Sequence, residues 1–207
     1  MSKVKLAIVY YSSTGTNYQL AQWAAEGGRE TGADVQIYKV EELIPDSVIG
    51  QNPAMKAHAE AAKDVPVVKP EDIVAADAII FSTPTRFGNV ASQMKQFLDT
   101  TGGIWFHGKT VNKVVSAMTS AQNNHGGQEA TILSLYTTMY HWGAIVVAPG
   151  YTDPVLYAAG GNPYGTSVSV DQNNKIRDDE AAIRAAAVHQ AKRVVTVAGW
   201  VKNGLQG

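Results

Sequence analysis

The hydrophobic pattern of the chain changes period repeatedly. Val4 to Tyr11 is a near-continuous apolar run rich in β-branched and aromatic residues, which predicts a strand buried on both faces. After it, Leu20, Trp23/Ala24 and Gly27 recur at helical spacing, and Gly32 closes that helix. Val35 to Val40 alternates apolar and polar, as a strand at a sheet edge does. Pro70 to Ala75 reads as a helical turn with proline at its first position, feeding a buried strand at Ala78–Phe81. The same alternation continues with a helix carrying Val90, Met94, Phe97 and Leu98 inward and a strand over Lys113–Met118. A helix with Ile132, Leu135/Tyr136 and Met139 on one face follows, and Ala144–Ala148 is expected to be the last buried strand. Asp178, Asp179 and Glu180 open a final helix whose stripe is Ile183, Ala187, Ala191, Val194, Ala198 and Val201, ended by Gly204. Five strands alternating with helices predict an α/β fold, a doubly wound parallel sheet with helices on both faces.

Two segments exceed a minimal fold of this kind. Residues 41–70 form a proline-punctuated connection with an Ala-rich helical piece near Met55–Lys63, and residues 149–178 are rich in Gly, Pro, Asn and Tyr. Loops so long are usually functional or disordered, and the aromatics of 149–178 favour an ordered loop. We expect one domain over residues 1–207, with insertions at 41–70 and 149–178.

Composition narrows the function classes. The chain has 207 residues, 45% hydrophobic and 17% charged, with a net charge of −1 and no cysteine. That charge gives no field for nucleic acid or an anionic membrane surface. Without cysteine there is no disulfide, thiolate metal site or thiol catalysis, which fits a cytoplasmic protein. The start resembles a weak leader, but its apolar core is too short and a polar turn follows.

Candidate chemistry concentrates where strands give way to helices. Ser12-Ser13-Thr14-Gly15-Thr16-Asn17 follows the first strand, and five of these six residues carry a hydroxyl or amide. A helix N-terminus presents free N–H groups and a positive dipole end, a natural seat for phosphate. The turn lacks the lysine of a triphosphate loop and the glycines of a dinucleotide fingerprint, so a single monophosphate held by dipoles suits it. One cap residue would suffice for the helix alone. Two further polar turns, Ser82–Asn89 and Thr119–Gly127, fall at the same carboxyl edge of the sheet, where such folds bind ligands. The string Gly103–Thr110 matches G-x-x-x-x-G-K-T literally, yet a helix precedes it and a β-rich run follows, so it is not expected to bind nucleotide. Trp105-Phe106-His107 is either a core plug or an aromatic wall over a flat ligand, and the wall is favoured. His141, at the end of the helix after the third turn, is expected to reach the ligand edge.

Thr83-Pro84-Thr85-Arg86-Phe87-Gly88-Asn89, Gly102-Gly103-Ile104-Trp105, Gly126-Gly127-Gln128-Glu129 and Pro163-Tyr164-Gly165 together resemble the WrbA family over essentially the whole chain. The resemblance implies a flavodoxin-like fold, non-covalent FMN, a homotetramer, and two-electron reduction of quinones by NAD(P)H in a ping-pong hydride mechanism. It places the FMN phosphate on Ser12, Ser13, Thr14, Gly15, Thr16 and Asn17. The isoalloxazine falls beside Pro84, Thr85, Arg86, Phe87, Gly88 and Asn89, and beside Ser120, Ala121, Gln122, Asn123, Asn124 and Gly126. It assigns His141 to the flavin's pyrimidine carbonyl and Thr14 and Trp105 to the substrate cavity, with chemistry at FMN N5 and no catalytic side chain or metal. The chain departs from the family pattern in three places. Thr14 stands where some relatives have an aromatic, the third turn is one residue longer with fewer glycines, and Trp142 stands where a second histidine is common. The alternative class is a flavodoxin-like FMN carrier docking to proteins. Carriers tend to be smaller and strongly acidic, and this chain is near neutral.

Overall fold

The apolar runs assemble into one parallel sheet in the computed structural model, which describes residues 3–205; Met1 and Ser2 of the leader-like start lie outside them, as do Gln206 and Gly207. The strands are β1 (Lys5–Tyr10), β2 (Asp34–Lys39), β3 (Ala78–Pro84), β4 (Val114–Ala121), β5 (Ile145–Val146) and β6 (Ser167–Ser169). Their order is β2-β1-β3-β4-β5, with β6 also on β4, and every pairing is parallel. The strand order reverses between β1 and β3, the switch point of a doubly wound sheet.

Alternate residues of each strand serve opposite faces, which is why the central runs are apolar throughout. On one face Leu6, Ile8, Tyr10, Ile80 and Met118 meet helices α1 (Thr16–Glu30) and, last in the chain, α9 (Glu180–Gly204). Between them lie α2 (Asp46–Ile49), α3 (Pro53–Ala61), α4 (Pro70–Ala75), α5 (Ser92–Thr100), α6 (Gly102–Phe106), α7 (Gln128–His141) and α8 (Val155–Ala158). The other sheet face, with Val9, Ile79, Phe81 and Val115, is covered by α4, α5 and α7. The stripes expected of α5, α7 and α9 are the buried ones, except that Val90 and Val201 are only partly buried. Gly27 lets α1 and α9 touch backbone to backbone, since a Cβ there would lie 2.4 Å from the Val188 carbonyl oxygen.

The 41–70 connection carries α2, α3 and α4, and α3 begins two residues before the expected Met55. Asn52 caps it, accepting from the amides of Ala54 and Met55, and Pro53 takes the first helical position.

The last strand departs from expectation. Ala144–Ala148 pairs with β4 only at Ile145 and Val146, which are partly buried, and the chain then leaves the sheet. It returns through the 149–178 insertion as β6, pairing with Thr119–Ala121 at the other end of β4. The intervening backbone is satisfied by side chains. Ala117 N donates to Tyr136 Oη, Ala117 O accepts from Gln190 Nε2, and Gln190 Oε1 accepts from the Thr166 amide and hydroxyl. Gly165 lies so close that a Cβ would fall 2.0 Å from Ala117 O, which explains the glycine of Pro163-Tyr164-Gly165.

Candidate functional site

The three polar turns meet at the carboxyl edge of the sheet around a cleft of about 660 Å³. Each turn is shaped by its own sequence. In the first, Gly15 has φ 103, a left-handed conformation that costs other residues energy. This lets the amides of Gly15 and Asn17 point at Ser12 Oγ, 2.9 and 3.3 Å away. Ser12 thus holds the loop, and among the described residues the amides of Thr14 and Thr16 have no protein acceptor. Asn17 is buried and works as a tie. Its Nδ2 donates to Ser120 Oγ of the third turn at 2.8 Å, and Ser82 Oγ donates to its side-chain oxygen at 3.2 Å.

The second turn is a tight reversal in which Arg86 and Asn89 exchange backbone hydrogen bonds of 2.7 and 3.1 Å. Phe87 and Gly88 between them both have positive φ, 54 and 77. For phenylalanine that conformation is strained, and its ring is fully exposed, so the tight reversal and not side-chain packing holds it there. Thr85 Oγ1 receives the Gly88 amide and donates to Gly126 O, tying the second turn to the third. The two turns press together so closely that a Cβ on Gly127 would lie 2.8 Å from Gly88 Cα. Arg86 Nη2 reaches Ser13 Oγ at 3.4 Å, so a cation does approach the first turn, which its own sequence did not indicate.

In the third turn Asn123 receives the His125 amide on its side chain and the Gly126 amide on its carbonyl. Asn124 Oδ1 accepts from Ser169 Oγ at 2.7 Å and fastens the turn to β6. The cleft is lined by Ser12, Ser13, Thr14, Thr16 and Asn17, by Pro84 to Phe87, and by Ser120 to Asn123 with Gly126. Gly15, Gly88, Asn89 and Asn124 shape the turns without lining it. Both insertions add walls that turn motifs could not reveal. Asn52 and Met55 come from the first, and Val170, Gln172 and Asn174 from the second. Asn174, with φ 62, accepts from Thr14 Oγ1 at 3.0 Å and so closes the second insertion over the first turn.

Two expected residues lie elsewhere. A helix that starts at the carboxyl edge runs back antiparallel to the strands, and the 14 residues of α7 carry His141 about 20 Å away. It ends beside β5, whose Ile145 pairs with Val114 at the start of β4. Trp105 lies with it, donating from Nε1 to His141 O at 2.7 Å. The expectation that His141 reaches the ligand edge of its own chain is therefore corrected. Nor is Trp105-Phe106-His107 a core plug, because Trp105 and Phe106 are 48% and 78% exposed. The Gly103–Thr110 string occupies α6 and the turn before β4, with no helix after it to receive a phosphate.

Comparison with known proteins agrees with this geometry. Residues 4–152 match the family model described as NADPH-dependent FMN reductase. The chain is 55% identical over 192 residues to a protein of Deinococcus radiodurans named NAD(P)H dehydrogenase (quinone), covering 93% of this chain and 94% of that one. A protein of the same name from Aromatoleum aromaticum is 40% identical, with 97% and 99% covered. Among solved structures, a flavodoxin, WrbA-like protein from Agrobacterium tumefaciens superposes with a TM-score of 0.65 at 21% identity, over 96% of this chain and 99% of that one. The fold is thus flavodoxin-like, and the chain belongs to the NADPH-dependent FMN reductase family.

Proposed function

We propose that the protein is an NAD(P)H:quinone oxidoreductase working through FMN, and the observation that carries this is the cleft where all three turns converge. The residues present suit the cofactor. The unpartnered amides of Thr14 and Thr16, the Thr16 hydroxyl and the Arg86 guanidinium offer a monophosphate several donors and one positive charge. The second and third turns then hold a flat ring, with Gln122 and Asn123 supplying amide donors to its polar edge. Bound FMN supplies a centre that accepts a hydride from the nicotinamide and passes it to a quinone. The protein's part is to bind and orient both partners over one ring face in turn, which gives ping-pong kinetics.

The reading includes a homotetramer. Trp105 and His141 are held together at the edge opposite their own cleft, beside exposed Phe106 and Tyr140. Soluble monomers rarely leave such a surface bare, and in a closed assembly it walls the cleft of another copy. His141 and Trp105 then act on a neighbour's flavin. One continuous sheet supports treating the chain as a single domain with two insertions, and the cysteine-free sequence supports a cytosolic setting. Among the described residues no helix is long and apolar enough to cross a membrane.

The test is an anaerobic absorbance titration of the FMN-loaded protein. NADH is expected to bleach the flavin band, and benzoquinone to restore it. A flavin that NADH and NADPH both leave oxidised would overturn the assignment.

A further inference from the structure

A second cavity, about 230 Å³, lies between the end of β2 and helix α3, and it meets the cleft at Ser12, Ser13 and Met55. It falls below the roughly 300–1,000 Å³ typical of sites for whole drug-sized ligands, so it suits one ring system of a longer molecule that also occupies the cleft. Its walls are largely apolar, with Ile49, Met55 and Ala59 lining it beside Tyr10 and His58, whose ring centroids are 6.1 Å apart.

The charges at its mouth are specific. Glu41 and Glu42 come just past the end of β2, after Val40, near the place from which a carboxylate holds the adenosine ribose of a dinucleotide in other doubly wound parallel sheets. Glu42 is fixed by one oxygen. Its Oε1 accepts from Tyr11 Oη, from the amides of Leu43 and Ile44, and from Gln93 Nε2 at 2.8–3.2 Å. Oε2 makes no bond among the described residues. The cations present are otherwise engaged. Lys39 Nζ is committed to Ala62 O at 2.6 Å, and burial lowers the pKa of the His58 imidazole, disfavouring its cation.

We propose that this cavity is the subsite for the adenosine end of the reduced nicotinamide dinucleotide, and that its carboxylates select a free 2′-hydroxyl over a 2′-phosphate, making NADH the preferred donor. The proposal rests on the oxidoreductase reading for what occupies the cleft. A base packed against Ile49, Met55 and Ala59 would anchor the donor while its nicotinamide lies in the cleft.

The test measures binding apart from turnover. ADP-ribose and 2′-phospho-ADP-ribose are titrated calorimetrically into the FMN-loaded protein, its Ala59→Trp variant, which fills the cavity from an exposed helix position, and its Glu41→Arg variant. ADP-ribose is expected to bind at least about tenfold tighter than the phosphorylated form, to lose about tenfold in Ala59→Trp, and to lose its advantage in Glu41→Arg. Equal binding of the two ligands, or no effect of Ala59→Trp, would overturn the proposal. Titration of flavin-free protein with FMN and FAD gives a second arm. Tighter binding of FAD that Ala59→Trp abolishes would overturn the nicotinamide assignment by giving the cavity to the flavin's own adenosine. Reduction by the reduced form of nicotinamide mononucleotide, which has no adenosine, is expected to be the same in all three proteins. If neither that truncated donor nor NADH or NADPH reduces any of them, the function reading fails while the binding result still decides the subsite.

Discussion

Ser12 and Thr16 stand four residues apart in one turn and do different work. Ser12 Oγ receives two amides, whereas the Thr16 hydroxyl has no protein partner among the described residues. Ser12→Ala is therefore expected to destabilise the flavin-free protein by about 1 kcal/mol, as loss of a cap does, and to weaken FMN. Thr16→Ala is expected to leave stability unchanged and to weaken FMN by about one to two decades, the worth of a hydrogen bond to a charged group. Thermal melts of the flavin-free variants and FMN dissociation constants from fluorescence quenching check both. His58 makes a pH prediction. Burial is the main cause of its lowered pKa, with the Lys39 charge adding to it and Glu42 opposing. The unfolded chain then binds a proton more readily than the folded one, so stability is complete above about pH 6.5 and falls as pH drops through that value toward the folded pKa. Urea midpoints at pH 7.5 and 5.5 measure the fall, and His58→Asn is expected to reduce it.

At the scale of elements, the interrupted last strand depends on Gln190. This fully buried side chain bonds Ser116 Oγ, Ala117 O, and the Thr166 amide and hydroxyl. Tyr136 supports the same gap, and burial pushes its phenol up to about 12, so it stays a neutral donor to Tyr164 O. Replacing Gln190 by Leu keeps the volume and strands those partners, at a cost of about 2–4 kcal/mol for several buried unsatisfied groups. Because β6 leads into Val170, Gln172 and Asn174 of the cleft, FMN affinity is expected to fall with stability. Chemical denaturation beside FMN titration tests this, and a variant as stable as the parent would contradict the account of the gap. The sequence pattern showed an apolar run at Ala144–Ala148 but not that it leaves the sheet after two residues. The bonds that replace the strand come from side chains of the neighbouring helices, Tyr136 of α7 and Gln190 of α9, and no pattern within the run itself records them.

For the whole molecule, assembly and activity are expected to be linked. If Trp105 and His141 wall a neighbour's cleft, dilution to monomer lowers quinone reduction and FMN retention together, by mass action. Trp105→Ala is expected to lower kcat/KM for quinones about tenfold while the flavin-free chain keeps its melting temperature, since the indole is half exposed in one chain and truncating it costs little core packing. Sedimentation across a concentration series, read beside activity at the same concentrations, decides the matter. A fully active monomer retaining FMN would remove the shared cleft.

The sequence by itself determined the layers and the edge that carries the site. Strand burial follows from which residues are apolar, and turn chemistry follows from local hydroxyls, amides and glycines, both being properties of neighbours in the chain. It therefore placed the three turns and the buried stripes of α1, α5, α7 and α9. Only the tertiary structure decided where side chains end up after a helix has run its length. That is why His141 and Trp105 lie together at the opposite edge, why Asn17 is a buried tie between two turns, and why Arg86 reaches Ser13. The cavity beside β2 belongs to the same class. It exists because α3 folds back over the strand end, and no local pattern at Glu41, Glu42 or His58 records that approach.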